Sequence, residues 1–266
     1  MGPSWSPPLT HFPITPPHYY QRMLIGILGG TGPQGRGLTR RFAAAGHRVV
    51  IGSRSAERAE AVAQEYAAVG DVAGATNEDT ADRAELVVVT VPYAGHAELL
   101  ASLAPALAGK IVVDCVNPLG FDARGPFPLP VAAGSAAEEA AAILPDSIVI
   151  GAFHHVSAVR LDDPAVTTIP GDILVLGEDR GAVDQVCILA EAIPGARGLY
   201  AGRLRLAGPV EALTANLIAI NRRYKSHAGL QITDVQIPDV QVPDQQIINK
   251  QRINKQIINK QISTEQ

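Results

Sequence analysis

Near the start of the sequence, an apolar run leads directly into a glycine-rich turn. Residues 23–30, MLIGILGG, are typical of a buried parallel strand, and the turn over 30–35 has the spacing G-x-G-x-x-G. An alanine-rich helix is predicted next, over about 34–45, and it ends at Gly46 before a second apolar run, HRVVIGS. The order strand, glycine turn, helix and strand predicts a parallel βαβ unit.

In this context the glycine spacing is the fingerprint of a dinucleotide site on a Rossmann-type sheet. Glycine lets the backbone turn tightly and approach a pyrophosphate, which then lies at the helix N-terminus among unpaired N–H groups. The motif residues expected to bind the cofactor are Gly30, Thr31, Gly32, Pro33, Gln34 and Gly35. The alternative is a glycine turn that only joins the strand to the helix.

The end of the second strand indicates which dinucleotide binds. An NAD site usually has a carboxylate there, and a carboxylate would repel a 2′-phosphate. This chain has Ser53 and Arg54, with Arg58 one helical turn later, and a hydroxyl with two guanidinium groups suits that phosphate. The sequence therefore predicts NADP(H), while a solvated helix start is the alternative interpretation of the two arginines.

Further apolar runs continue the alternation of strands and helices to about residue 156. The predicted elements are strands over 74–77, 85–92, 110–118 and 147–155, a loop over 119–134 and a helix near 135–143. They predict an α/β fold, a doubly wound parallel sheet whose ligands bind where the strands end. The strand ends expected to meet the cofactor include Val91, Pro92, Tyr93 and Asn117.

Past residue 156 the sequence changes character. The predicted elements there are strands over 172–178 and 196–202 and helices over 180–193 and 205–224. We interpret residues 23–156 as a Rossmann domain and residues 157–230 as a small C-terminal α/β lobe. The last helix is amphipathic, and it either closes the cleft and builds a dimer interface or only packs on the sheet.

Both ends of the chain differ from the body in composition. Residues 1–22 hold six prolines, which predicts a disordered arm, with Met23 as an alternative start. From Gln231 the sequence repeats with a period of five, which fits neither a helix nor a strand. Residues 231–266 are predicted to be a low-complexity, mostly disordered tail. A pentapeptide-repeat β-helix is the alternative, but its inward positions need small residues that this register lacks.

Charge and cysteine content exclude several classes of partner. The formal net charge is −4 and the pI is about 6.0, which argues against nucleic acid or an anionic membrane surface. Cys115 and Cys187 lie in apolar runs, as expected of reduced thiols in a cytoplasmic protein rather than of a disulfide framework. The sequence contains neither a signal peptide nor a run of about 18 apolar residues.

Acid–base groups are scarce in the body of the chain. A Ser…Tyr-x-x-x-Lys set does not occur, and Lys110 and Lys225 begin a strand and follow the last helix, so neither suits proton transfer in the cleft. His96, His154 and His155 are the remaining candidates, each with a structural alternative. No metal-ligand constellation is found. Such a chain suits hydride transfer to an acceptor that needs little proton transfer, such as a flavin-like ring.

Four segments resemble the NADPH-dependent F420 reductases, also called F420H2:NADP oxidoreductases. They are IGILGGTGPQGRGLTRRFAAAGHRVVIGSR, VVVTVPYAGH, IVVDCVNPL and GPVEALTANLIAINRRY, and the resemblance covers about 23–230. It implies hydride transfer in either direction between the nicotinamide of NADP(H) and the deazaflavin ring of coenzyme F420, an 8-hydroxy-5-deazaflavin. It also implies a homodimer.

The resemblance assigns roles to individual residues. The positions where the family holds the NADP phosphates are Thr31, Ser53, Arg54 and Arg58. Those beside the nicotinamide are Pro92 and Tyr93, and those that position the two rings are Asn117, Pro118 and Leu119. Residues 153–156 fall near the deazaflavin, where relatives vary, so His154 and His155 are candidates only. On this interpretation stacking of the two rings supplies most of the acceleration.

Two other functions stay open on the sequence. One is a different NADPH-dependent reductase of the same fold, such as a metal or imine reductase. The other is a redox sensor that binds NADP without catalysis, which the scarcity of acid–base groups also fits. A sensor would bind NADP and show no turnover with any acceptor.

Replacing Arg54 by Asp tests the choice of dinucleotide. The 2′-phosphate is the only difference between NADPH and NADH, so we expect Arg54→Asp to weaken NADPH binding by at least about tenfold and NADH binding far less. Titration of both nucleotides measures the two dissociation constants. Equal losses for NADPH and NADH would contradict the assignment.

Overall fold

A computed structural model describes residues 22–235, which form one compact unit. The strands are β1 (Leu24–Leu28), β2 (Arg48–Ser53), β3 (Val72–Thr76), β4 (Leu86–Val89), β5 (Ile111–Asp114), β6 (Leu119–Asp122), β7 (Gly125–Pro128), β8 (Ile148–Gly151), β9 (Gly171–Gly177) and β10 (Ala196–Gly202). The helices are α1 (Pro33–Ala44), α2 (Ala56–Gln64), α3 (Asn77–Arg83), α4 (His96–Leu107), α5 (Ala136–Ile143), α6 (Ala158–Asp162), α7 (Arg180–Ala190) and α8 (Ala207–Tyr224).

Eight strands form one sheet in the order β10-β9-β8-β5-β4-β1-β2-β3. The pairs from β3 across to β8 are parallel, β8 and β9 are antiparallel, and β9 and β10 are again parallel. The two remaining strands, β6 and β7, form a separate antiparallel hairpin. The predicted α/β fold with a mostly parallel, Rossmann-type sheet is therefore confirmed.

The sheet has an apolar core on each face because successive side chains of a strand point to opposite sides. In β4, Leu86 and Val88 pack in one core with Phe42 of α1, while Val87 and Val89 pack in the other with residues of α4. Phe42 is fully buried, and burial of such a side chain contributes roughly 1.5–3 kcal/mol. A strand that is buried on both faces explains why the sequence of β4 is an unbroken apolar run rather than an alternating one.

Helix α1 begins where two glycines touch. A Cβ atom on Gly35 would lie 2.4 Å from the Cα atom of Gly30, closer than any side chain tolerates. The Gly30 N–H also donates to the Gly52 carbonyl at 2.9 Å, which ties the turn to β2. These contacts bring the N-terminus of α1 directly over the end of β1, as the glycine spacing predicts.

Several elements differ from the sequence-based expectation. The third strand ends at Thr76 instead of residue 77, because the Thr76 side chain accepts from the Asp79 N–H and so caps α3. The predicted loop over 119–134 contains the β6–β7 hairpin. Helices α3 and α6 are short, seven and five residues, and their sequences carry too few apolar positions for a periodic pattern.

The segment 157–230 contributes two strands to the same sheet. Strand β9 pairs with β8 through Ile150 and Gly151, so the sheet continues past residue 156 without interruption. The boundary that we drew at 156 coincides with the antiparallel step in the sheet. A division into a Rossmann domain and a C-terminal lobe stays a prediction.

The expected end of the folded body at residue 230 stays a prediction. Residues 231–235 are described, and the Ile232 N–H donates to the buried Asp172 carboxylate while Arg197 donates to the Ile232 carbonyl. The rest of the predicted tail, 236–266, and the predicted arm apart from Arg22, 1–21, lie outside the described residues. Within 22–235, no helix is long and apolar enough to cross a membrane.

Two truncations locate the end of the folded body. We expect deletion of 231–266 to lower the free energy of unfolding by about 1–3 kcal/mol, because the charged Asp172 loses its bond from Ile232. Deletion of 236–266 keeps Ile232 and is expected to leave stability unchanged, since the pentad composition predicts no packed core. Urea unfolding of the full chain and both truncations measures the difference. Equal stabilities for the two truncations would show that the Ile232 contacts contribute nothing.

Candidate functional site

A cleft of about 840 Å³ lies at the carboxyl ends of the parallel strands. The turn after β1, the end of β2 and the segments that follow β4, β5 and β8 form its floor and one side, and one face of α8 forms the other side. The predicted site residues that line it are Thr31, Gly32, Pro33, Gln34, Ser53, Arg54, Arg58, Val91, Pro92, Asn117, His154 and His155. The strand ends thus converge as expected of a doubly wound sheet.

Five predicted site residues do not line the cleft. They are Gly30, Gly35, Tyr93, Pro118 and Leu119. Gly30 and Gly35 act through the close backbone contact beneath the turn. The Tyr93 hydroxyl faces Glu139 at 3.4 Å, behind the cleft wall. Because these five residues do not line the cleft, the structure does not support their direct contact with a bound cofactor. Their assigned roles stay predictions.

The turn between β1 and α1 is shaped for an anion. Gly29 has a φ angle of 67°, a conformation that favours glycine, and its N–H donates to the Asn77 side chain at 3.2 Å. Pro33 occupies the first turn of α1, where its missing N–H is of no consequence. The first turn of α1 contains no acidic residue. The partial positive charge of its unpaired N–H groups and of the helix dipole therefore has no negative side chain beside it in that turn.

Two exposed arginines stand at the end of β2 without a carboxylate partner. In the described part of the chain, Arg36 pairs with Glu65, Arg40 with Asp162 and Arg48 with Asp71, whereas no ion pair involves Arg54 or Arg58. The hydroxyl of Ser55 accepts from the N–H of Arg58 and so starts α2 at this point. Two guanidinium groups with no internal counterion are available to bind an anion.

On the opposite side of the turn, the chain leaves β8 through a strained residue. Phe153 is buried and has a φ angle of 61°, which is uncommon for a residue with a side chain. Its carbonyl accepts from Gln34 at 3.1 Å, and the next carbonyl, of His154, accepts from Asn117 at 2.7 Å and Thr214 at 3.0 Å. These bonds hold the strained turn in place and join three walls of the cleft.

The two histidines of this turn both line the cleft. The predicted strand over 147–155 would send His154 and His155 to opposite faces, but β8 ends at Gly151, so the alternation stops before them. Burial lowers the pKa of each imidazole to about 4, so both are neutral at physiological pH. The His155 Nε2 atom accepts from the Leu174 N–H at 3.3 Å, which gives His155 a structural role.

A buried polar atom of the cleft wall lacks a partner within residues 22–235. It is the Oδ1 atom of Asn117, whose amide nitrogen is bound to the His154 carbonyl. An unpaired buried polar atom costs about 1–3 kcal/mol. An amide oxygen in the wall of the cleft is suited to bind a polar edge of a ligand.

His96, the third candidate, lies behind the wall. It is fully buried and contacts two carboxylates, Asp114 and Glu139, and it does not line the cleft. The structural interpretation of His96 therefore fits better than an acid–base role in contact with substrate. In the described residues, no group of His, Cys, Asp and Glu side chains could hold a metal ion.

The sequence left open whether the last helix closes the cleft or only packs on the sheet, and in the structure α8 lines the cleft. Thr214, Leu217, Ile218 and Asn221 line the cleft. Their spacing of three, four and seven residues is that of one helix face, so the pattern was available in the sequence. What the sequence does not show is that this face meets the glycine turn.

Comparison with known proteins matches this chain to coenzyme F420-dependent NADP reductases. Residues 24–118 match the family model for NADP oxidoreductase, coenzyme F420-dependent. The F420-dependent NADP reductase of Methanothermobacter marburgensis is 37% identical over 223 residues, 80% of this chain and 99% of that protein. The enzyme of the same name from Methanocaldococcus jannaschii is 36% identical over 224 residues, 80% of this chain and 99% of that protein. A solved structure from Arthrobacter sp. FB24, described as a candidate F420-dependent NADP reductase, has a TM-score of 0.67 and 28% identity, covering 79% of this chain and 99% of that one.

The depressed pKa of His154 predicts a loss of stability in acid. The imidazole has a pKa of about 4 when folded and near 6.5 when unfolded, so the stability present above pH 6.5 is lost as the pH falls towards 4. Between pH 7.5 and pH 5 this amounts to about 2 kcal/mol. We expect the stability difference between the wild type and His154→Gln in urea unfolding to shift by that amount. An identical difference at both pH values would show that burial does not depress the pKa.

Proposed function

This chain belongs to the F420-dependent NADP reductase family, and from that premise we propose that its cleft holds NADP(H) and coenzyme F420 together with their rings stacked. The observation that carries the proposal is the continuity of the cleft from Arg54 and the start of α1 to Asn117, His154 and α8. A volume near the upper end of the range for small-molecule sites suits two cosubstrates better than one.

The dinucleotide end of the cleft is basic. We assign the pyrophosphate to the N-terminus of α1, in contact with Thr31 and Gly32. We assign the 2′-phosphate to Ser53, Arg54 and Arg58, because these arginines have no carboxylate partner within residues 22–235 that would compete for them. This arrangement favours NADP(H) over NAD(H).

The reacting end of the cleft is neutral. Val91, Pro92 and Asn117 form the side that we assign to the nicotinamide, and His154 and α8 form the side that we assign to the deazaflavin. The Oδ1 atom of Asn117, which has no partner within residues 22–235, is the acceptor that we assign to the amide of the nicotinamide. The two cosubstrates supply the hydride and its acceptor, so the protein has only to hold the rings close and exclude water.

Two further properties are proposed with the reaction. A homodimer is supported by the exposed apolar side chains on and beside α8, namely Leu206, Ile220 and Tyr224. A cytoplasmic location is supported by Cys115 and Cys187, both of which are unpaired thiols. Burial raises the pKa of both, so neither is a reactive thiolate.

A direct assay tests the proposed reaction. Purified protein is mixed with NADPH and oxidised F420, and the visible absorbance of the deazaflavin is followed, with NADH and FMN in parallel. We expect rapid bleaching with NADPH and F420 only. Absence of bleaching while NADPH still binds would favour a redox sensor or a reductase with another acceptor.

A pair of charge-reversal variants, one at each end of β2, tests the NADP assignment in this assay. Arg54→Asp is compared with Arg48→Asp, which lies at the other end of the same strand and pairs with Asp71 away from the cleft. We expect Arg54→Asp to raise the KM for NADPH by at least about tenfold and Arg48→Asp to leave it unchanged.

A further inference from the structure

Directly behind the cleft wall lies a hydrogen-bonded cluster of His96, Asp114, Glu139 and Tyr93, here called the His96 cluster. The Nε2 atom of His96 lies 2.6 Å from Asp114 and its Nδ1 atom lies 3.2 Å from Glu139. Glu139 also accepts from the Tyr93 hydroxyl at 3.4 Å. His96 and Asp114 are completely buried, so the contact between these two is isolated from water, whereas the Glu139 side chain is partly exposed.

The cluster joins two segments that line the cleft. The second carboxylate oxygen of Asp114 accepts from the Val116 N–H at 2.9 Å, and Val116 and Asn117 form part of the wall. His96 begins α4 immediately after residues 91–95, of which Val91, Pro92 and Gly95 line the cleft. The contact between His96 and Asp114 is therefore a direct tether between the start of α4 and the end of β5.

The charges around His96 explain why it bridges two carboxylates. Burial alone lowers the pKa of His96, but the hydrogen bonds and charges of Asp114 and Glu139 outweigh burial and raise it. A protonated imidazole donates from both nitrogens, whereas a neutral one donates from only one. Glu211 of α8 also faces the cluster, and burial raises its pKa to about 7 although the N–H groups of Ala136 and Ala137 bind it.

We propose that His96 and Asp114 are positioning residues, which hold the nicotinamide side of the cleft at the separation that hydride transfer requires. The inference rests on the proposed function, since it concerns the same cleft. It follows from the position of the tether, because a shift of the start of α4 or of the end of β5 moves Pro92 or Asn117 relative to the opposite wall. A misplacement of about 1 Å is enough to slow a reaction between two oriented rings by about a hundredfold.

A pair of variants at Asp114 separates positioning from folding. Asp114→Ala removes the bonds to both His96 and Val116, and we expect it to slow hydride transfer in a single turnover by at least about tenfold. Asp114→Asn retains an oxygen for the Val116 N–H and presents an amide to a neutral His96, so we expect the rate to recover to within about threefold of the wild type. The NADPH dissociation constant is expected to change by less than about threefold in both, because the phosphate end is untouched.

A buried histidine elsewhere serves as the matched control. His47 is 2% exposed and lies just before β2, at the end of the strands opposite the cleft, beside Phe42 and the start of β1. We expect His47→Gln to lower the melting temperature and leave the rate of hydride transfer unchanged. If Asp114→Ala does not fold, His96→Gln keeps only one of the two carboxylate contacts, and an intermediate loss of rate is expected.

Amide hydrogen exchange supplies a readout that does not need turnover. Exchange over 115–117 and 91–95 is expected to accelerate in Asp114→Ala and in His96→Gln, and to stay at the wild-type rate in Asp114→Asn and His47→Gln. If the wild type fails to reduce F420, the proposed function falls, and the exchange pattern still decides whether the tether orders the wall. If the Asp114→Ala protein exchanges and reacts like the wild type, or if Asp114→Asn is as slow as Asp114→Ala, the positioning role is refuted.

Discussion

The backbone contact between Gly30 and Gly35 determines where the rest of the site lies. Because no side chain separates these two residues, α1 starts at the very end of β1 and its N–H groups point into the cleft. The hydrogen bond from Gly30 to Gly52 then aligns β2, whose last residues bring Arg54 to the same place. A larger residue at either position would displace the helix and the anion site with it.

The charged and the neutral side chains of the cleft lie at opposite ends. Positive charge is concentrated at the end that we assign to the dinucleotide, where Arg54 and Arg58 have no carboxylate partner among the described residues. At the other end, burial keeps His154 and His155 neutral, and His96 and Asp114 are buried and do not line the cleft. A neutral environment suits a reaction that moves a hydride and needs no general acid.

Sequence reasoning reached the parts of the site that depend on local pattern and missed those that depend on tertiary contact. The glycine turn and Arg54 follow from short spacings, and both line the cleft. The early end of β8 depends on the conformation of Phe153, and a hydrogen bond from Gln34 of α1 holds that conformation in place. No local signal in an apolar run reveals where the strand ends. The partners of His96 come from β5 and α5, so its role could not be read from its own neighbourhood.

The antiparallel step between β8 and β9 has a consequence for the order in which the protein is made. It returns the chain so that the last described helix, α8, supplies a wall of a cleft whose first element is the turn after β1. During synthesis from the N-terminus, the segments that we assign to the dinucleotide are made long before the ribosome reaches Thr214. The wall that α8 supplies is therefore added to the cleft only once nearly all of the chain has been translated.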